Sequence, residues 1–551
     1  MRSISILGGL AVSLLALSVH AATQPPVDAG LLQQNLDKAP LQLPGKQRLN
    51  LTLPDTPADE ARSGGPTLQV ADFILEGVSV DSLQLLALLD DLKNRRLTFG
   101  ELQAGANRIT RWYREQGYPL ARAYIPAQEI DAGVLRIAVL EGRFGQVQIS
   151  NPAGLRGGAL APLAALQPGD TVRAATLERS LLLMQDTPGV AVSSTLRPGS
   201  HTGETDLLVD VQRAPLLSGA LDADNYGNRY TGEYRLGASL QLNGLAGLGD
   251  RLSLRAMTSD QMLLHGRIAY QLPLGPWATQ VGAAYSSMHY ELGKDFEDLK
   301  ASGTANIASL YAIQPLLRSR DLSLSLQAQL DSKDLQDDID LYNEQNGKQA
   351  DVFSLTLSGN SRDAWQGGGM NSFALALSTG SLDIENAAQR QNDRQTARTQ
   401  GSFLKLNPSL VRLQRLTDTL SLYTQVQGQW ANGNLDSSEK FSLGGAYGVR
   451  AYPQGEASGD LGWLANVEVR YALSDAWQLN GFLDHGQVRI NQDAWTSDDN
   501  SRSLSGAGVG ASWTGYGWQV NGVAAFKLGG EEAESDKDRG ARLWVQVVKP
   551  L

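Results

Sequence analysis

From residue 215 to the C-terminus the chain repeats with a period of two. Leu322, Leu324, Leu326, Ala328 and Leu330 alternate with Ser323, Ser325, Gln327, Gln329 and Asp331. Leu420, Leu422, Val426 and Trp430 alternate with Ser421, Tyr423, Gln425, Gln427 and Gln429, and Trp463, Ala465, Val467, Val469 and Tyr471 with Asn466, Glu468 and Arg470. One face is apolar and the other polar, which is the period of a strand. A single strand of this kind fits a soluble sandwich as well as a membrane barrel. The connections separate the two. Short ones (245–249, 274–276, 474–476, 514–516) alternate with long polar ones (333–349, 383–398, 431–460, 491–502, 529–540). Short turns on one side facing long loops on the other are the signature of an outer-membrane barrel, whose strand number is even. Sixteen segments of ten to thirteen residues fit into 215–551, predicting an all-β, 16-stranded antiparallel transmembrane barrel. Sixteen strands enclose an aqueous lumen wide enough for an extended peptide, provided nothing fills it.

Residues 68–214 follow another rhythm, that of one unit occurring twice. The first copy predicts a strand over 70–75, helices over 82–93 and 98–115, and strands over 121–125 and 134–140. The longer helix opens on a Thr98-x-x-Glu101 capping box, carries Leu102, Ala106, Ile109 and Tyr113 on one face, and ends at Gly117. A shift of 72 residues places Gly117 on Gly189 and Ile109 on Leu181. The same shift places Leu135, Ile137 and Val139 on Leu207, Val209 and Val211. Two α+β modules of βααββ order are therefore expected, at 68–143 and 144–214. They carry no cluster of catalytic groups, and an exposed strand edge is their obvious means of binding a polypeptide.

Before the modules, 22–67 reads as linker, broken by Pro25, Pro26, Pro40, Pro44, Pro54, Pro57 and Pro66. One short helix is predicted over 28–38, capped by Asp28, with Ala29, Leu32 and Leu36 on one face. A helix on a tether suits something that docks and undocks, and equally an ordinary terminal helix. The first 21 residues read as a secretory signal: Arg2, an uncharged apolar stretch from Ile4 to Val19, then Val19-His20-Ala21.

Composition narrows the chemistry. There is no Cys, which excludes disulfides, thiolate metal sites and Cys nucleophiles, and the net charge of −11 argues against a nucleic-acid partner. No G-x-S-x-G, phosphate loop or H-E-x-x-H occurs, and the five His are scattered. The chain therefore reads as no enzyme, with no cofactor and no metal. The acidic run 334–340 faintly resembles a calcium loop but has Asn343 where a turn Gly belongs, and reads as part of a solvated external loop. Gly506, Gly508 and Gly510 share one face of a strand, where they would admit a bulky neighbour or a loop. Two motifs remain, Val449-Arg450-Ala451-Tyr452 in the longest loop and Phe482-Leu483-Asp484-His485-Gly486 on a strand. Alternation aims Asp484 and Phe482 into the lumen, where Arg450 could meet the carboxylate. Such a pair in a wet lumen would be worth ~1 kcal/mol or less, suiting a reversible latch. On spacing alone, two unrelated polar residues are the simpler reading.

These residues resemble the outer-membrane transporters of two-partner secretion, the hemolysin secretion/activation type within the superfamily of outer-membrane assembly factors. The likeness covers nearly everything after the signal. It includes Leu221-Asp222-Ala223-Asp224-Asn225-Tyr226-Gly227-Asn228-Arg229-Tyr230-Thr231-Gly232, Gly249-Asp250-Arg251-Leu252 and Tyr270-Gln271-Leu272-Pro273-Leu274-Gly275. The family's V-R-G-[YF] motif matches Val449, Arg450 and Tyr452, with Ala451 for Gly, and its F-x-D-x-G motif matches Phe482, Asp484 and Gly486. The resemblance implies that the modules are POTRA domains, that the 28–38 helix (Asp28, Leu32, Leu36) is a plug, and that the 431–460 loop folds into the lumen with Arg450 paired to Asp484. It further implies a large secreted exoprotein with an N-terminal secretion domain as partner, β-helical and adhesin- or hemolysin-like, carried from periplasm to surface or medium. A monomer in outer-membrane lipid, placed there by the barrel-assembly machinery, is implied as well. The alternative is a factor that assembles other barrels. Two departures stand out: Ala451 restricts φ > 0 at the loop tip, and the chain ends in Leu551 rather than an aromatic residue.

Overall fold

The computed structural model describes residues 27–37, 43, 51–52 and 67–551. The expected signal at 1–21 and most of the linker lie outside them. Sixteen antiparallel strands, numbered consecutively from β1 (Leu217–Asp224) to β16 (Ala541–Pro550), close into a barrel, β16 pairing with β1 from Ala220↔Pro550 to Asp224↔Gln546. The apolar faces point outward. Leu330 is 55% exposed, and Leu310, Val467, Leu483 and Val509 are likewise exposed. A sandwich would bury that face, whereas here it is what lipid covers. Trp477, Trp518 and Tyr516 are exposed at the short-turn end, where amphipathic rings suit a membrane interface.

Six strands exceed the expected ten to thirteen residues, while the first three are shorter, at eight or nine. β7 (Leu322–Ile339) and β8 (Glu344–Asp363) run 18 and 20 residues, so the loop expected at 333–349 is mostly paired strand, with register Lys333↔Ala350 and Asp337↔Asn346 and a turn at Asp340–Tyr342. The acidic run at 334–340 is thus a strand end and not a solvated loop. Beyond the lipid both strand faces are polar, so the apolar signal stops while the hydrogen-bonded ladder continues.

The 72-residue repeat is visible in three dimensions. Ile109 and Leu181 are both buried, as are Leu135, Ile137 and Val139 in one module and Leu207, Val209 and Val211 in the other. Gly117 and Gly189 follow their helices at φ +85° and +78°, which favours glycine. In the first module Phe99–Glu115 is capped by Thr98 with Glu101 in a reciprocal box. The helix expected over 82–93 stops at Ala87, because Asp90–Leu92 forms a 3-10 turn and Asn94 takes φ +57°, turning into strand Arg95–Thr98. In the second module the first helix is a 3-10 element, Gly157–Ala165, since Gly157, Gly158 and Pro162 disfavour an α-helix. Its sheet includes the linker residues Leu51–Thr52 at one edge.

Glu141, buried in the first module, accepts from the Ser79 amide at 2.6 Å, the Ser79 hydroxyl and the Tyr113 hydroxyl at 2.9 Å. Burial and that carboxylate push the Tyr113 hydroxyl well above its ordinary range. Glu141→Ala leaves these donors without an acceptor, an expected cost of about 1–3 kcal/mol. Hydrogen exchange should show it as lost protection in 68–141 with the barrel unchanged.

The second module sits on the short-turn end of the barrel. Arg318 forks onto Asp186 at 2.6 and 2.7 Å, and the Arg156 amide donates to the Gly247 carbonyl. Asp250, fully buried, accepts from the Ala246 and Leu248 amides and the Tyr270 hydroxyl, fixing the turn that meets the module.

Candidate functional site

Two of the chain's own segments enter the barrel. The first is α1 (Ala29–Asp37), whose first turn is held by Asp28 Oδ1, accepting from the Leu31 amide at 2.8 Å. Asp337 Oδ1 on β7 accepts from the Ala29 amide at 2.8 Å, placing a carboxylate at the helix N-terminus. Ala29 and Leu32 are buried among Met257, Met288, Tyr290, Ala305 and Leu335 of the inner wall, and Leu36 packs on the same cluster. The opposite side is buried too, and it is polar. Gln34 donates to the Lys440 carbonyl, and Gln454 donates to Asn35 Oδ1 at 3.2 Å. The helix thus lies between the apolar inner wall on one side and the polar loop on the other. Lys38, the expected last residue of the helix, lies outside the described residues.

The second segment is the connection 432–460 between β11 (Leu420–Ala431) and β12 (Leu461–Ala472). Its base is clamped by ion pairs: Glu439 with Lys333 at 2.5 Å and Lys405 at 2.6 Å, and Asp436 with Lys348 at 2.7 Å. Its far side is fixed by Glu456, fully buried, which pairs with Arg502 and accepts from the Ser535 amide and hydroxyl.

At the tip the two motifs meet. Arg450 places Nε 2.9 Å from Asp484 Oδ2 and Nη2 2.7 Å from Oδ1, and its own amide donates to Oδ2 at 3.1 Å. Nη1 donates to Glu468 Oε1 at 2.6 Å, and the guanidinium lies over the Phe482 ring, 3.5 Å from its centroid. Asn466 Nδ2 donates to Asp484 Oδ1 and to the Gly448 carbonyl, Arg470 holds the other oxygen of Glu468, and Trp544 Nε1 donates to the Arg450 carbonyl. Arg450 is 8% exposed and Asp484 2%. In place of the expected weak pair in a wet lumen there is a largely desolvated network of Arg450, Asp484, Glu468, Asn466, Arg470 and Trp544, costly to break from one side.

Val449, Ala451 and Tyr452 are fully buried around it, and Tyr452 donates to the Glu531 carbonyl at 3.1 Å. Ala451 is absent from the residues at positive φ, so the expected restriction at the tip does not arise. What the tip requires is room opposite. A Cβ on Gly506 would lie 2.7 Å from Ala451 Cβ, one on Gly508 2.4 Å from the Phe482 ring, and one on Gly486 2.7 Å from Leu443. Gly506→Val should therefore push the tip off the wall at a cost of about 1–3 kcal/mol. It should be read as faster proteolysis within 431–460 in intact cells than in the wild type.

Sequence reasoning missed Glu468, Asn466 and Trp544. The first two belong to the polar face of the 463–471 alternation. Only the register of β12 with β13 (Trp477–Arg489), Glu468↔Phe482 and Asn466↔Asp484, brings them to the arginine. Tyr226, from the first-hairpin motif, stacks edge-on against both Tyr447 of the loop and Trp544.

Residues 203–513 match the model for the haemolysin secretion/activation protein family ShlB/FhaC/HecB, and residues 68–142 the ShlB-type POTRA domain. The heme/hemopexin transporter protein HuxB of Haemophilus influenzae (strain 86-028NP) is 28% identical, over 97% of this chain and 96% of that protein. Among solved structures, CdiB from Escherichia coli superposes with a TM-score of 0.71 at 20% identity, covering 95% of this chain and 96% of its own. BamA from Haemophilus ducreyi lacking POTRA domains 1–3 gives 0.52 at 12% identity, covering 88% and 100%. The structural likenesses concern the fold alone.

Proposed function

This chain belongs to the ShlB/FhaC/HecB family of outer-membrane two-partner secretion transporters, and from that premise we propose how its own segments guard the passage. The modules at 68–143 and 144–214 capture a large exoprotein in the periplasm. The barrel, 215–551, conducts it outward while α1 and the 431–460 loop close the lumen at rest. Arg450 is the latch and Asp484 the keeper, with Glu468 as a second keeper. The observation that supports this reading is that both segments are non-covalently seated in the lumen, each by an apolar face on the wall and by polar contacts, α1 through Gln34 and Asn35 and the loop through Arg450, Glu439 and Glu456. The working unit in this reading is a monomer in outer-membrane lipid, inserted by the barrel-assembly machinery.

The test is co-expression with a large exoprotein encoded beside this chain, in a host lacking both. Because a relative carries heme/hemopexin in its name, an exoprotein of that kind is the first to try. Exoprotein in the medium or on the surface only when this chain is present is the expected result. Exoprotein retained in the periplasm despite a correctly inserted barrel would overturn the assignment of that cargo.

A further inference from the structure

β1 and β16 close the barrel over five register pairs, from Ala220↔Pro550 to Asp224↔Gln546, while β16 goes on pairing with β15 (Trp518–Lys527) as far as Phe526↔Ala541. Residues 541–545 therefore have a strand on one side and only the end of β1 on the other. The chain turns away from the seam there: Asp224 Oδ1 accepts from the Tyr226 amide at 2.9 Å, and a Cβ at Gly227 would collide with the Gly232 carbonyl. Asn225 takes over from the strand. Its backbone amide donates to the Val545 carbonyl at 3.2 Å, its Nδ2 donates to the Leu543 carbonyl at 2.7 Å, and its Oδ1 accepts from the Val545 amide at 2.7 Å. A carboxamide carries the donor and the acceptor of a peptide unit, so this one side chain supplies the next rung of the ladder.

The side chains of Leu543 and Val545 are exposed, and between them Trp544 is buried on the lumen side. Its Nε1 donates to the Arg450 carbonyl at 2.7 Å, while the Arg450 amide donates to Asp484 at 3.1 Å. The peptide units on both sides of that arginine are thus held, one by the carboxylate and one by the indole. Tyr226, next to Asn225, lies edge-on to both Trp544 and Tyr447, with ring centroids 5.7 and 5.5 Å away. We infer that Asn225 is a positioning residue for the latch: by binding the backbone on either side of Trp544 it aims the indole at the Arg450 carbonyl, so that the barrel seam and the tip of the inner loop share one clasp. The inference rests on the latch reading above. An asparagine that only closed the seam would act on the barrel and leave the loop tip in place. The two backbone groups that this side chain binds flank the residue that reaches the tip.

Release of the loop is read as the rate of proteolytic cleavage within 431–460 in intact cells, which follows the population of the open form when opening is fast relative to cleavage. Trp544→Phe keeps a ring and removes the indole donor, and should raise the rate about fivefold, the worth of one net hydrogen bond. Asn225→Ala should raise it by about as much. Asn225→Asp, which sets an oxygen against the Leu543 carbonyl where an N–H stood, should raise it too, and takes the place of alanine if that variant does not insert. The double variant Asn225→Ala with Trp544→Phe should match the single ones, because both act through the same bond. A double variant near the product of the two, about twenty-fivefold, or a wild-type rate in Asn225→Ala, would overturn the inference. Heat-modifiable mobility checks in each case that the barrel is closed. Arg450→Ala is the control for the underlying reading: a wild-type rate there would remove the latch itself. Fast cleavage there, with wild-type rates in Asn225→Ala and Trp544→Phe, would keep the latch and remove only the role of Asn225.

Discussion

Arg450→Ala is expected to reduce exoprotein secretion at least tenfold while the barrel still inserts and stays heat-modifiable. The substitution removes the fork that neutralises Asp484 and Glu468, both buried. Deleting one partner of a buried ion pair typically costs about 3–5 kcal/mol, because the remaining charge stays desolvated. The sixteen-strand ladder does not depend on that pair, so the loss falls on loop placement and not on the fold. Arg450→Lys should recover little, since a point charge cannot reproduce two bonds to Asp484, one to Glu468 and a planar stack on Phe482. Asp484→Asn should be milder than Arg450→Ala, because Glu468 still balances the guanidinium and the amide oxygen still accepts. Wild-type secretion from Arg450→Ala would remove the latch from the mechanism.

Enlarging Gly30 should open the pore. Glycine inside a helix costs about 0.5–1 kcal/mol relative to alanine, so its place in the nine-residue α1 needs a packing reason. That reason is the loop. A Cβ at position 30 would lie 2.8 Å from both the Cβ and the amide nitrogen of Ser438, and 2.9 Å from Ser437 Oγ. Ser437–Glu439 is itself pinned to the wall by Lys333 and Lys405 through Glu439, so it cannot retreat. Gly30→Leu overpacks this contact, and ~1–3 kcal/mol of strain on a docking equilibrium corresponds to roughly 5–150-fold more open channels. Bilayer conductance of the purified protein reads this directly. An open fraction equal to wild type would show that α1 does not obstruct the lumen.

Much of the architecture was legible because it is local. The Thr98–Glu101 box, the helix face of Leu102, Ala106, Ile109 and Tyr113, and the period of two in the barrel each depend on neighbours within a turn or a pleat. Strand count followed from the same signal, whereas strand length did not. Above the lipid, alternation gives way to polarity on both faces, so the pattern there reads as a loop although the β7–β8 ladder continues.

By itself, then, the sequence determined two repeated modules and sixteen alternating strands. It also put Asp484 and Phe482 on the lumen side, and it set aside Gly506 and Gly508 as openings for something bulky. Only the tertiary structure decided what fills those openings and what surrounds Arg450. Ala451 against Gly506, Phe482 against Gly508, Glu468 beside the guanidinium and Ser438 against Gly30 join residues that lie 18 to 408 positions apart. Such meetings are set by strand register and barrel closure, which sum the geometry of every strand between them, and no window of the sequence contains that sum.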